Sequence, residues 1–422
     1  MHALEKILAK KAGKDSVTTG DIINCVVDRA GINDLYLQTA RSFHEIGGKK
    51  VPLPEKVVMF MDHYAPASTI TQADNQKQFR EFCRAQKAGH IMDINEGVCH
   101  QVLADKGMSF PGQLIVITDS HTTTHGAFGA FSTGVGATDM ATILATGKLW
   151  FRVPEIMRIR ITGTLVKGVY AKDVILHIIG TLGADYAVYK GVEFCGPVVE
   201  GWSVSERMAL CNMTTEMGAK CSYIQPDAVT FDYLQSIGVT EYEVVTTDAN
   251  FVYSEELVFD VTNMGPQLAA PSSVDNLARI EEHLGRHIDQ AYIGSCTGGR
   301  LADIAVAAAI LGGKKIPDTV RLIIVPSSKK VLLDAIDKGY FQTLVKAGAT
   351  FVTPSCAACL GTHQGVLAPG ETCISATNRN FPGRMGSTSA SLFLASPATV
   401  AASALEGRIA DPRIYLQGAD NV

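Results

Sequence analysis

The segment AYIGSCTGGRLADIAVAAAILGG, residues 291–313, joins a short apolar run to a glycine-rich loop and a helix-like stretch, then stops at two glycines. Its spacing predicts a strand near 290–294 and a helix near 300–311. The plan recurs. QLIVITDSHTTTHGAFGAFSTGVGATDMATILATG predicts a strand near 113–118, a long polar loop and a helix near 135–147. VRLIIVPSSKKVLLDAIDKGY repeats it, with Pro326 and Ser327 as turn and cap. Short buried strands alternating with helices of this length predict α/β domains with largely parallel sheets. In such sheets ligands sit beyond the carboxyl ends of strands, which is where these loops fall.

At 422 residues the chain exceeds one compact core, and two or three domains are expected. WFRVPEIMRIRITG changes from helix-like to strand-like around Pro154, and NMGPQLAAPSSVDN, residues 263–276, reads as a linker. These boundaries give three α/β domains: residues 1–153, 154–270 and 271–422. A net charge of −5 offers no basic field for nucleic acid or anionic membrane. The N-terminal MHALEKILAKKAGKD carries charges throughout, and no apolar run approaches a membrane span. A soluble cytoplasmic protein is expected.

Ten cysteines are far too few for a disulfide scaffold in a chain this long, and most are expected to pack as small hydrophobes. Three stand apart. Cys296 lies in GSCTGGR, while Cys356 and Cys359 lie in PSCAACLG, both loops following apolar stretches. Tight structural turns are the bland explanation. A structural zinc site wants four ligands, and only His363 lies near the one Cys-x-x-Cys. A thioredoxin-like pair belongs early in a small domain, and a phosphate loop would carry the P-loop lysine or a G-x-G-x-x-G spacing. A 4Fe–4S cluster on three thiolates is the remaining alternative, with one iron left open as a Lewis acid.

The motifs KILAKKAG, FMDHYAP, GVCH, TDSHTTTHGAFGAFSTGVGATD, NMTTEMGAK, GSCTGGR, PSCAACLG and ATNRNFPGRMGS follow one another along nearly the whole chain. In this order they resemble the aconitase superfamily, and most closely the large subunits of 3-isopropylmalate dehydratase and homoaconitase. The resemblance implies three α/β domains around a 4Fe–4S cluster with Cys296, Cys356 and Cys359 as metal ligands.

It also gives roles to the other motifs. Asp62 and His63 end the apolar run KVVMFMDH, and such a pair can fix a tautomer and deliver a proton. The resemblance places His63 beside the substrate hydroxyl and His100 in the active site. Asp119, Ser120 and His121 could cap a helix or belong to a hydrolase, but no G-x-S-x-G elbow is present. By resemblance they surround the cluster and support a proton relay. Glu216 and Asn212 match a pair that orders water and the open iron, with Asn212 counted among the substrate-binding residues. Asn378, Arg379 and Arg384 match the substrate pocket, where arginines suit bidentate recognition of carboxylates. Arg300 reads as a helix N-terminal charge. The chain departs from the family pattern at Gly298, commonly Asn, and at Ala357 and Ala358, commonly Gly-Pro.

Single-chain relatives continue into a mobile fourth domain that provides a serine base and a further arginine. Here the resemblance implies that a separate small subunit supplies it, in a heteromer. The expected reaction is dehydration and rehydration of a hydroxy di- or tricarboxylic acid. 3-Isopropylmalate, in leucine biosynthesis, leads; homocitrate or 2,3-dimethylmalate follows. A non-catalytic iron-sensing or RNA-binding relative and a zinc-binding structural protein are the alternatives from other classes, and the lack of a basic, aromatic-studded stripe speaks against RNA.

Overall fold

A computed structural model of the chain describes residues 1–34 and 37–416. Three larger sheets carry the described residues, together with an antiparallel ribbon of Ile22–Val26 and Lys148–Arg152. The first sheet has five parallel strands in the order His90–Met92, Val57–Phe60, Arg29–Asn33, Leu114–Ile117, Phe131–Gly134. The second has four, in the order Cys221–Tyr223, Gly191–Cys195, Ile156–Thr162, Glu255–Asp260, again all parallel.

The third sheet has seven strands, in the order Leu277–Arg279, Gln267–Ala269, Ser391–Leu394, Thr372–Ser375, Gln290–Ile293, Arg321–Ile324, Thr350–Phe351. Its first two pairings are antiparallel and the rest parallel. The central strands VVMF, LIVI and QAYI are buried at every position, as parallel strands covered on both faces must be. Helix Leu301–Leu311 follows QAYI and its loop, buries most of its apolar surface and ends before Gly312.

Four local expectations need correction. Residues 148–152 form a strand instead of a helix tail, because Leu149 and Phe151 point inward with period two. Within 263–276, Gln267–Ala269 is a fully buried strand inside the third sheet, so this stretch is no linker. Three apolar residues between prolines are too short a signal to separate from a loop. The polar loop after Ile117 is a 3₁₀ segment, Ser120–Phe128, buried from His121 onward and followed by the strand Phe131–Gly134. Its threonines turn inward, Thr122 Oγ1 donating to Asp119 O at 2.6 Å and Thr124 Oγ1 to His121 O at 2.6 Å. Ser328, not Ser327, caps helix Lys329–Asp337 by accepting the Val331 N–H at 3.2 Å.

The site follows from this layout. Asp62–His63, Thr118–His121, Ser295–Cys296 and Thr377–Arg379 all come directly after the carboxyl ends of parallel strands. Val58, Phe60, Ile115 and Ile117 of the first sheet pack in one apolar cluster with Cys296 and Cys356 of the third, so these ends face each other.

Candidate active site

Cys296, Cys356 and Cys359 open into one cavity of about 180 Å³. All three are buried and unbridged. Ser295, held at φ +75° in the turn after Ile293, puts its Oγ 3.6 Å from Cys296 Sγ and 3.5 Å from Cys359 Sγ. Nitrogen donors meet the sulfurs: Asn212 Nδ2 lies 3.1 Å and Asn378 Nδ2 3.4 Å from Cys296 Sγ, and an Arg384 terminal nitrogen 3.7 Å from Cys359 Sγ. Burial pushes the Cys296 thiol up to about 11, with Asp119 and Cys359 adding to the rise, and burial raises Cys356 further. Burial raises other thiols of the chain as well, Cys25 and Cys83 among them, so the shared cavity and not the shift sets these three apart; a bound metal would release their protons.

The cavity wall opposite carries histidines and carboxylates. His63 is 4 % exposed. Its Nδ1 lies 2.8 Å from Asp62 Oδ1, and its Nε2 lies 3.6 Å from Asp119 Oδ2. Asp62 is itself fixed, since its second carboxylate oxygen accepts the Cys99 N–H at 2.9 Å and its carbonyl the Cys356 N–H at 2.7 Å. Burial pulls His63 toward neutrality, but Cys356, Asp62, Asp119 and Asp34 outweigh it and hold the imidazole well above its ordinary value. Asp119 accepts from the His121 N–H at 2.8 Å and lies 3.0 Å from His100 Nε2. Despite burial, His100, His121 and His63 keep it well below the usual carboxylate range.

A second network borders the same cavity. His121 Nε2 lies 2.8 Å from Glu216 Oε1, which also accepts from Arg379 Nε at 2.8 Å. Arg379 reaches on to Ser120 Oγ at 3.0 Å. Burial opposes ionisation of Glu216, yet His121 and Arg379 keep its carboxyl low. Arg384 Nε is buried with no hydrogen-bond partner among the described residues.

The fourteen residues singled out from sequence thus gather in one place. Ten line the cavity: His63, Asp119, Ser120, His121, the three cysteines, Asn378, Arg379 and Arg384. Asp62, His100, Asn212 and Glu216 stand directly behind, each bonded to a lining residue. Asn212 is fully buried and faces Cys296 and Thr124, so its position is that of a support for the sulfur. Arg300 is the N-cap residue of helix Leu301–Leu311, and its guanidinium turns back onto the carbonyls of Cys296 and Thr297.

Sequence reasoning missed Asp34, whose carboxylate accepts the His63 and Tyr64 N–H groups at 3.0 and 2.9 Å. Its signal was available, since it follows the strand ending at Asn33 just as Asp62 follows Phe60. Cys99 was missed as well; a ligand atom of Cys99, His100 and Asp119 each lies within 4.8 Å of the others.

The departures have local explanations. A Cβ at Gly298 would lie 2.4 Å from Ala376 Cβ and 2.7 Å from its carbonyl oxygen, leaving no room for a side chain. Ala357 holds φ +45°, a backbone that glycine adopts without strain.

A four-stranded and a five-stranded parallel sheet, a mixed seven-stranded one and a three-cysteine cavity between strand ends define a class of protein, and comparison with known families agrees. The model of the aconitase family (aconitate hydratase) matches residues 5–286 and 281–407. The chain belongs to the aconitase family and is a hydro-lyase. Among its relatives, the 3-isopropylmalate dehydratase large subunit 1 of Methanopyrus kandleri is 49 % identical over 98 % of this chain and 99 % of its own length. Probable methanogen homoaconitase large subunits of Methanosarcina mazei and Methanothermobacter thermautotrophicus are 52 % and 48 % identical, over 92 % and 98 % of this chain and 98 % of each relative. The crystal structure of Thermococcus kodakaraensis aconitase X in its holo form superposes with a TM-score of 0.52, covering 89 % of both chains at 14 % identity, and supports the fold. No helix among the described residues is long and apolar enough to cross a membrane.

Proposed function

We propose that Cys296, Cys356 and Cys359 hold a 4Fe–4S cluster with one iron free of protein ligands, and that the chain, with a small subunit, isomerises 3-isopropylmalate by dehydration and rehydration. The single observation behind this is the cavity itself. Three buried thiols from two loops share it with a carboxylate-held histidine and two arginines. When bound, such a cluster supplies a Lewis-acidic iron for the substrate's hydroxyl and carboxylate.

The chain's own residues do the rest. Asp62 fixes the tautomer and orientation of His63 through Nδ1, so Nε2 presents its proton toward the cavity, where a departing hydroxyl needs it. Asp119, kept ionised by three histidines, favours the protonated imidazole between turnovers. Arg384 and Arg379 take the carboxylates; Glu216 and Ser120 hold the Arg379 fork in place before substrate arrives. Burial of the three thiols keeps bulk water from the sulfurs. The base that removes the proton beside the carboxylate belongs, in this proposal, to the small subunit, and the pair works in the cytoplasm in leucine biosynthesis.

Homocitrate is the second substrate, because relatives at 48 % and 52 % identity carry the homoaconitase name. Co-expression with the small subunit, anaerobic purification and an assay of 2- and 3-hydroxy diacids, followed by the ultraviolet absorbance of the unsaturated acid, tests both. Turnover of 3-isopropylmalate well above homocitrate is expected. A cluster-loaded complex that converts neither sinks the proposal.

A further inference from the structure

Lys172 is among the largest fully buried side chains, at 2 % exposure. It is the second residue of helix Ala171–Leu182, where the helix dipole disfavours a cation. Among the described residues no carboxylate comes within 4 Å of it. Neighbouring Asp173 is taken up by the N–H groups of Tyr170 and Gln267, at 2.9 and 3.0 Å. Lys172 Nζ donates instead to the Thr377 carbonyl at 2.6 Å and lies 2.9 Å from Met213 Sδ. Each of those residues adjoins an asparagine that touches the cage. Asn378, after Thr377, sets Nδ2 3.4 Å from Cys296 Sγ and Oδ1 3.6 Å from Cys359 Sγ. Asn212, before Met213, sets Nδ2 3.1 Å from Cys296 Sγ.

A buried ammonium without a counter-ion is costly, so something in this structure must offset it. Two fixed carboxylates, Glu216 and Asp303, act on it, but neither forms an ion pair with it. Burial draws its proton affinity down to about 8, and the groups that oppose this are Cys296, Cys359, Glu216 and Asp303. Two of the four are the cysteines of the cage.

We propose that Lys172 is the buried counter-charge of the cysteine cage, a positioning residue whose ammonium balances the thiolate-bound cluster and fixes Asn212 and Asn378 against the sulfurs. This rests on the cluster assignment made above. It extends that assignment to a residue outside the cavity, on the second sheet's side of the molecule. Charge and position act together. Removing the charge disfavours the more negative, reduced cluster and loosens the donors that hold Cys296.

The test compares the anaerobic holoprotein with Lys172→Met, Lys172→Gln and Lys172→Arg. Readouts are iron and sulfide content, the rate of iron loss to a chelator, the cluster midpoint potential, and the melting temperature of the cluster-free chain. The neutral variants are expected to shed iron about tenfold faster and to shift the midpoint potential negative. Lys172→Arg should stay near wild type. The cluster-free Lys172→Met chain should melt at or above the wild-type temperature, since an unbalanced buried charge is gone. Unchanged potential and iron loss in the neutral variants overturn the proposal, as does a fall in cluster-free melting with no change in potential, which marks a purely structural tie. Wild-type protein that takes up no cluster overturns the underlying assignment instead, and the two failures are therefore told apart.

Discussion

His63 and Asp62 are adjacent in sequence, and their side chains turn together so that Nδ1 and Oδ1 lie 2.8 Å apart. Successive residues of an extended strand point to opposite faces, so this contact exists only because the chain leaves the strand at Phe60. Asp62→Asn keeps the shape and removes the charge that sets the tautomer. Turnover is expected to fall about 100-fold or more, with iron content and melting temperature near wild type. Steady-state kinetics beside iron analysis checks this, and unchanged turnover removes His63 from the proton-transfer role.

Cysteine substitutions separate ligands from neighbours. Cys296→Ser, Cys356→Ser and Cys359→Ser should each lose most iron, sulfide and visible absorbance. Cys99→Ser should retain them, because Cys99 is buried close by yet does not line the cavity. Cluster loss in the Cys99 variant would mean that a fourth thiolate closes the site.

Arg384 has one buried nitrogen with no partner among the described residues, and a lysine offers a single point of charge where a planar fork stands. Arg384→Lys is predicted to raise KM about 10–100-fold, a loss of about 1.4–2.8 kcal/mol of binding, while kcat moves less. Initial rates across substrate concentration decide it; a pure kcat effect would place Arg384 at the reacting atoms and not at a remote carboxylate.

Glu206 accepts the Ala171 N–H at 2.7 Å, and burial raises its carboxyl from 4.5 to about 7. The folded chain therefore binds this proton more tightly than the unfolded one. That stabilisation is complete below pH 4.5 and fades as pH climbs through about 7. Glu206→Gln has nothing to lose over this range. It should melt with wild type at the acid end and about 2–4 °C higher at pH 8, as thermal unfolding at several pH values will show.

Gly298→Ala forces a methyl into Ala376, and both contacts are with atoms that cannot swing aside. A cost of about 1–3 kcal/mol is expected, together with faster iron loss, because Ala376 leads into Thr377 and Asn378. Melting curves and chelator kinetics measure the two effects.

Much of the site was legible from residue type and position. Cys296 and Asp119 follow short, largely apolar runs, and that pattern marks the carboxyl end of a buried parallel strand. The contacts of Asn212 and Lys172 were not, because each depends on a partner far along the chain: Asn212 on Cys296, and Lys172 on Thr377. Nothing local in NMTTE or YAKDV records such contacts. The strand Gln267–Ala269 escaped for a different reason. Its pairing with Leu277–Arg279 and with Leu394 determines it, and its own three residues carry too little pattern.

The Cys356 N–H donates to the Asp62 carbonyl, joining two positions 294 residues apart in sequence. The Cys356 sulfur is thus supplied by the loop after Phe351, while its backbone is held by the loop after Phe60. The proposed cage is complete only when the segments around Asp62 and Cys356 have folded against each other. On the cluster assignment proposed above, cluster assembly is therefore tied to long-range folding and not to any local segment.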